Sequence, residues 1–333
     1  MAKPFQTAGY EDMELSTQIV IKEALRRKIK VEIVDRSTNL IRVSKGRHIE
    51  YIQEATKTTR TPYITSLIIN NKKASKYILH EQGIRVPQGM DYNDIKIALK
   101  DYKLFKKQKT VVKPKTTNFG IGVTILEENF SIDAFKKALT HAFSYDNAVL
   151  VEEYIEGTEY RFLVIKDKTI GVINRVPANV TGDGKHSVEE LVATKNKSPM
   201  RGEWCRAPLE YILIGETEKD VLKEQNLSSQ SIPKKGQQVF LRHNSNLSSG
   251  GDSMDCTDSV HKDYKKIAER ATKSVDALIC GVDIIIQNSS KPPTSKNHGI
   301  IEINDNPGLT MHNFPFKGKN RNTGKYILDL LGF

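Results

Sequence analysis

Apolar residues recur with two different periods along this chain, and the period switches from stretch to stretch. In EDMELSTQIVIKEALRRKI, residues 11–29, Leu15, Ile19, Ala24 and Leu25 fall at helical spacing and basic residues close the run, which predicts a helix. Three shorter runs follow, KVEIVD, NLIRVS and RHIEYI, and these predict strands, the last two separated by KGR. ASKYILHEQGIRVP predicts a helix stopped at Gly83, then an extended piece into Pro87. YNDIKIALKDY predicts another helix. KTVVKP and VTIL read as strands around the glycine-bearing loop KTTNFGIG, and SIDAFKKALTHAF reads as a helix capped by Ser131.

Strands cluster later. AVLVEEYI, EYRFLVI and TIGVINRV, joined by short turns, predict an antiparallel meander. TGDGKHSVEELVATK predicts a turn into a helix, QQVFLRH a strand, and NSNLSSGGDSMD, rich in Ser and Gly, an irregular loop. VHKDYKKIAERATKSVDAL predicts a long helix. GVDIIIQ and GIIEIN predict a hairpin with a long polar loop, and GKYILDLLGF a closing helix. This mixed order, without an internal repeat, predicts an α+β fold rather than one doubly wound sheet. A length of 333 residues exceeds one compact core, so subdomains are expected.

Composition narrows the function classes. No apolar run approaches the ~20 residues of a membrane span, and the first residues lack a signal-peptide layout, so a cytoplasmic location without membrane attachment is expected. The formal net charge is +11, but the lysines are spread over helix faces and no block interleaves arginines with aromatics. That favours a site for polyanionic small molecules over nucleic acid. Cys205, Cys256 and Cys280 are too few and too scattered for a disulfide framework or a zinc site.

The chemistry is concentrated in four segments. In GIIEIN, Glu302 and Asn304 lie two apart and share one face of an otherwise apolar strand. Asp283, in the preceding strand, joins them if the strands pair. Oxygen donors of this kind suit Mg²⁺, which commonly bridges to phosphates. Lys113 ends the apolar strand TVVKP, and the loop after it offers Thr116, Thr117 and Asn118 as donors and Gly120 and Gly122 as points of close backbone approach. The loop is neither a Walker motif nor GxGxxG. Lys76 stands on a helix start. In LVEEYIEGTEYRF, Glu152 and Glu153 end a strand, Ile155 follows, and Glu159 opens the next strand after Gly157. A hinge offering main-chain groups to an adenine edge and an exposed acidic hairpin both fit that stretch.

Taken together, these segments resemble the ATP-grasp superfamily. The resemblance implies two α+β subdomains clasping ATP, with residues 1–70 as an N-terminal α/β region on the substrate side, 71–150 as the small lid and 151–333 as the C-terminal subdomain with the metal site. It implies that Lys76 and Lys113 hold phosphates under the loop of Thr116, Gly120 and Gly122. Glu152, Glu153, Tyr154 and Ile155 would meet adenine and Glu159 the ribose. Asp283, Glu302 and Asn304 would hold Mg²⁺, with Mn²⁺ as the alternative ion. Over nearly the whole chain, YEDMELSTQIVIKEALRR, INRVPANVTGDGKHSVEELV, VFLRHNSNLSSGGDSMDCTD and NPGLTMHNFPFKGKNR are similar to the glutathione synthetase half of bacterial bifunctional glutamate–cysteine ligase/glutathione synthetases. VPANVTGDGKHSVEEL and NSNLSSGG are also similar to cyanophycin synthetase.

The implied activity is ATP-dependent amide formation through an acyl phosphate, joining γ-glutamylcysteine to glycine. Another peptide or amino-acid ligase and a non-catalytic nucleotide-binding module are the alternatives. Arg242 is expected at the γ-phosphate or oxyanion, Arg161 and Arg175 at substrate carboxylates, and Asn306, Gly308, Ser249 and Gly250 around the substrate. The chain departs from D-Ala–D-Ala ligases at Gly281, where those carry an arginine. The upstream ligase region of the bifunctional enzymes is not part of this sequence, and a free-standing relative and an excised domain are both expected readings. A separate glutamate–cysteine ligase as pathway partner and a homodimer stay open.

Overall fold

A computed structural model describes residue 3 and residues 5–116, 121–203 and 206–333. Helix α1 (Leu15–Arg26) leads into an antiparallel sheet of β1 (Lys30–Asp35), β2 (Leu40–Lys45), β3 (His48–Gln53) and β4 (Lys57–Thr58). Helices α2 (Tyr63–Asn70) and α3 (Lys72–Glu81) follow; the Asn71 side chain between them caps α3 by accepting from the Lys73 and Ala74 N–H groups. The run ahead of α3 carries no clear periodicity, and α2 is therefore an element the hydrophobic pattern did not announce.

The next unit is a four-stranded sheet in the order β5-β8-β6-β7, built from β5 (Gly89–Tyr92), β6 (Thr110–Pro114), β7 (Thr124–Leu126) and β8 (Val149–Glu153). Helices α4 (Ile95–Lys100), α5 (Tyr102–Phe105) and α6 (Ile132–Phe143) cover it. Phe105, Val112, Phe135, Leu139, Val149 and Val151 form its separate core. Ser131 caps α6 as expected, accepting from Ala134 N–H at 3.1 Å.

After residue 153 the chain changes sheet. The expected three-strand meander is therefore corrected: β8 belongs to the small sheet, and only β9 (Thr158–Ile165) and β10 (Lys168–Val176) form a hairpin in the large one. The break at residues 154–157 includes Gly157, with φ +142°, where a Cβ would lie 2.6 Å from the Ile286 carbonyl. Only glycine tolerates both the conformation and the contact.

An inserted unit then packs β11 (Asn179–Thr181) and β14 (Gln238–Phe240) against α7 (Val188–Asn196) and α8 (Glu216–Glu224), with β12 (Arg201–Gly202) and β13 (Leu209–Glu210) as a short pair. Ser187 and Glu190 close α7 with a capping box. Residues 252–255 form β15 (Asp252–Asp255), although their Ser- and Gly-rich surroundings predicted a loop. The large sheet is completed by α9 (Lys262–Ser274), β16 (Ile279–Ile286) and β17 (His298–Asn304), giving the order β15-β10-β9-β16-β17 with every pair antiparallel. Helices α10 (Thr310–Asn313) and α11 (Thr323–Leu331) end the fold.

Strand alternation divides the large sheet's faces. Tyr160, Phe162, Val164, Val172, Val282 and Ile284 point to α9, whose Tyr264, Ala268 and Ala271 form a helical stripe against them. Leu163, Ile165 and Ile279 point the other way, into a core shared with α1, α11 and the first sheet. The end of that second face not covered by α1 and α11 carries the polar residues. Among the described residues no helix is long and apolar enough to cross a membrane.

Candidate active site

Two charged clusters meet where the small sheet faces the polar end of the large one. In the large sheet, Asp283 is opposite Glu302 on β17 and opposite Arg161 on β9, and Gly281 is opposite Asn304. A bulge between Asp283 and Ile284 resets the register so that Asp283, Glu302 and Asn304 share a face, as the sequence predicted. Asp283 is 1% exposed. Its oxygens accept from Arg161 Nε at 2.5 Å and Nη2 at 2.8 Å, and from Arg175 Nη2 at 3.1 Å. Asn304 Nδ2 lies 3.4 Å from the same carboxylate. Arg175 also pairs with Glu159, which accepts from Ser245 Oγ at 2.6 Å. The result is an alternating chain, Glu159–Arg175–Asp283–Arg161, with no net charge.

Burial alone would push the Asp283 carboxyl up; the two guanidiniums outweigh it and hold the group well below the usual carboxylate range. The Arg161 side chain lies over Gly281, 3.2 Å from where a Cβ would stand. A guanidinium from the neighbouring strand thus fills the space beside Gly281. Arg161 and Arg175, read from sequence as carboxylate-binding, are committed here to acidic side chains of the protein itself.

The second cluster is on the small sheet. Glu152, 3% exposed, accepts from Lys76 of α3 and, at 2.7 Å, from Lys113 of β6. Burial first, and the charge of Lys113 next, lower the Lys76 ammonium to about 8. Glu153 points to the opposite face of β8 and pairs with Arg85 at 2.7 Å, away from the lysines. Lys72, at the start of α3, joins the two clusters: its Nζ is 3.8 Å from Glu302. Burial pushes its pKa down. Lys72, unlike Lys76, is not among the residues expected from the sequence; it stands four residues and one helical turn earlier, and that i,i+4 spacing is the signal that pairs the two.

Thr116 donates its N–H and hydroxyl to Asp146, at 2.6 and 2.7 Å. Gly122 has φ +74° and packs closely on Pro114 and Tyr145. Thr117, Asn118 and Gly120 lie outside the described residues, as does Cys205. Tyr154 donates its N–H to the Lys109 carbonyl at 2.8 Å and receives the Lys109 ammonium over its ring. Ile155 is buried against Gly299. Arg242 pairs with Glu218 of the inserted unit. Asn306 accepts from Thr56 and donates to Glu54 at 2.7 Å, tying the strand end to the first sheet, and the space beside Gly308 is open. Ser249 donates to Asn244 at 3.0 Å, and Arg201 donates to the Gly250 carbonyl at 3.1 Å, so this loop is anchored to the inserted unit.

Among the described residues no three His, Cys, Asp or Glu converge on a metal position. The oxygen donors on offer are Asp283, Glu302 and Asn304. Their chemistry fits a hard cation: Asp283 Oδ1 accepts from Arg161 Nε and keeps a second lone pair, while Oδ2 is taken up by Arg161, Arg175 and Asn304, and the Glu302 side chain is 34% exposed.

Comparison with known proteins agrees with this geometry. Residues 11–64 match a model of an ATP-grasp-like domain, 91–185 the D-ala D-ala ligase C-terminus and 231–321 a RimK-like ATP-grasp domain. The chain is 51% identical over 329 residues to the glutathione biosynthesis bifunctional protein of Clostridium perfringens, covering 99% of this chain and 42% of the relative. It is 48% identical to the protein of that name in Listeria innocua, covering 43% of it. The crystal structure of a bifunctional glutathione synthetase from Pasteurella multocida superposes with a TM-score of 0.81 at 43% identity, covering 99% of this chain and 45% of that one. The chain therefore spans less than half the length of the relatives it matches. On its two charged clusters, its sheet order and these matches, the chain has an ATP-grasp fold.

Proposed function

We propose that the chain is an ATP-dependent, ADP-forming carboxylate–amine ligase that joins γ-glutamylcysteine to glycine. The observation that carries this reading is Lys72, Lys76 and Lys113 converging with Asp283 and Glu302 at the junction of two sheets. Likeness over 99% of the chain to proteins named for glutathione biosynthesis supports the choice of substrates. The working parts would be residues 71–150 as the lid and 151–333 as the subdomain beneath it, with 1–70 bracing the substrate side, in the cytoplasm.

In this reading the three lysines receive the triphosphate. Glu152 keeps Lys76 and Lys113 together before nucleotide arrives and then accepts from the adenine amino group. Glu159, already aligned by Arg175 and Ser245, receives the ribose hydroxyls. Asp283, Glu302 and Asn304 would hold Mg²⁺ or Mn²⁺, which when bound offsets charge on the phosphoryl oxygens. The acid's carboxylate attacks the γ-phosphorus and ADP leaves; the glycine amine then displaces phosphate from the acyl phosphate, giving the amide. Arg161 and Arg175 keep Asp283 ionised and fixed beneath the phosphates. No side-chain nucleophile is required, and positioning and electrostatics supply the rate.

The test is ADP release with ATP, Mg²⁺ and γ-glutamylcysteine plus glycine, against other acid–amine pairs. Turnover with this pair above all others is expected. Turnover with other pairs but not this one would overturn the substrate assignment. Tight ATP binding without turnover of any pair would overturn the ligase reading.

A further inference from the structure

A cleft of about 510 Å³ opens on the other side of β8 and β17 from the lysine cluster. Arg85, Arg270, His80 and His298 line it over an apolar floor of Ile84 and Ile267, and the polar hairpin loop at 293–295 forms its rim. None of its described lining residues is acidic. Two guanidiniums above apolar surface, with Glu153 behind Arg85 rather than in the lining, select an anion that has an apolar body.

Arg85 makes the cleft more than a basic hollow. Its Nη atoms hold Glu153, at 2.7 and 3.1 Å, while its buried Nε has no partner. Its carbonyl accepts from Ile300 N–H at 2.9 Å, so residue 85 also continues the hydrogen bonding of the β17 edge. The residue next to Glu153 is Glu152, which holds Lys76 and Lys113. Arg270 donates to the Gln82 carbonyl at 2.9 Å and is otherwise free to turn its remaining donors to the cleft.

We propose that this cleft binds a small organic dianion, a phosphate ester or a dicarboxylate on an apolar body, at a site separate from the nucleotide site. The dianion engages Arg270 and the edge of Arg85 whose Nε has no partner.

The experiment titrates the full chain by calorimetry with phenyl phosphate and, separately, with phthalate. Saturable binding of at least one is expected, and which one binds tells the phosphate ester from the dicarboxylate. Affinity should fall about tenfold or more in Arg270→Ala, which removes a charged donor. It should fall also in Ser295→Glu, which adds a negative charge at the exposed rim without removing a packing contact. It should hold in Lys113→Ala; circular dichroism checks the fold of each variant. Absence of saturable binding by both probes, wild-type affinity in folded Ser295→Glu, or loss of binding in folded Lys113→Ala would overturn the proposal.

Discussion

Replacing Glu152 by glutamine leaves two lysines facing each other with no anion between them. The side chain is 5% exposed, and the lysine side chains are 13% and 20% exposed, so solvent screens the pair weakly. Two charge-assisted hydrogen bonds disappear, each worth about 1.5–3 kcal/mol. Glutamine keeps the shape and one acceptor, which sets the expected loss at roughly 3 kcal/mol, the lower end for a broken buried pair. For a chain this long that is a fall of about 4 °C in melting temperature. Losing the carboxylate also depresses Lys76 below its present value of about 8, so the loss should be larger at pH 6 than at pH 9. Thermal unfolding followed by circular dichroism at both pH values measures it. ATP should narrow the gap between variant and wild type, since the triphosphate replaces the missing anion. A melting temperature within about 2 °C of wild type at both pH values would refute the idea that Glu152 holds the lysine pair together.

Other outcomes follow from the same geometry. The Lys76 ammonium titrates at about 8, and phosphate binds its charged form, so ATP affinity should be level below pH 7.5 and fall above 8, by at most about tenfold per pH unit. Lys76→Arg, which stays charged, should flatten that profile when binding is followed by calorimetry. In the nucleotide-free chain the depressed ammonium means the unfolded state binds more protons between pH 8 and 10.5, so this group's contribution to stability rises with pH in that window. Gly157→Ala should lower the melting temperature and ATP affinity together, because the added carbon meets the Ile286 carbonyl and shifts the 154–157 crossover. Glu302→Gln should abolish ADP release while circular dichroism stays unchanged, since that side chain is one-third exposed and carries little packing.

Much of the fold was legible because its signals are local. The helices at 15–26, 132–143 and 262–274 carry clear apolar stripes, and the polar residues of GVDIIIQ and GIIEIN stand out against buried neighbours. What escaped the sequence depends on contacts between distant segments. That β8 leaves the meander for another sheet is decided by its pairing with β5 and β6, some 40–60 residues earlier. That Glu152 and Glu153 serve opposite faces follows from strand alternation, but which face holds the lysines needs the fold. Residues 252–255 read as a loop because pairing with β10, rather than β-propensity, makes them a strand. Arg161 and Arg175 were legible as chemistry-bearing, yet their partnership with Asp283 depends on a register across three strands.

The central claim is that a substrate carboxylate takes up the γ-phosphoryl group before the amine arrives. Labelling the cysteinyl carboxylate of γ-glutamylcysteine with ¹⁸O and weighing the phosphate released on reaction with ATP and glycine tests it most directly. One ¹⁸O atom carried into each phosphate is the predicted result, the second staying in the amide. Phosphate free of label, released alongside amide product, would contradict it.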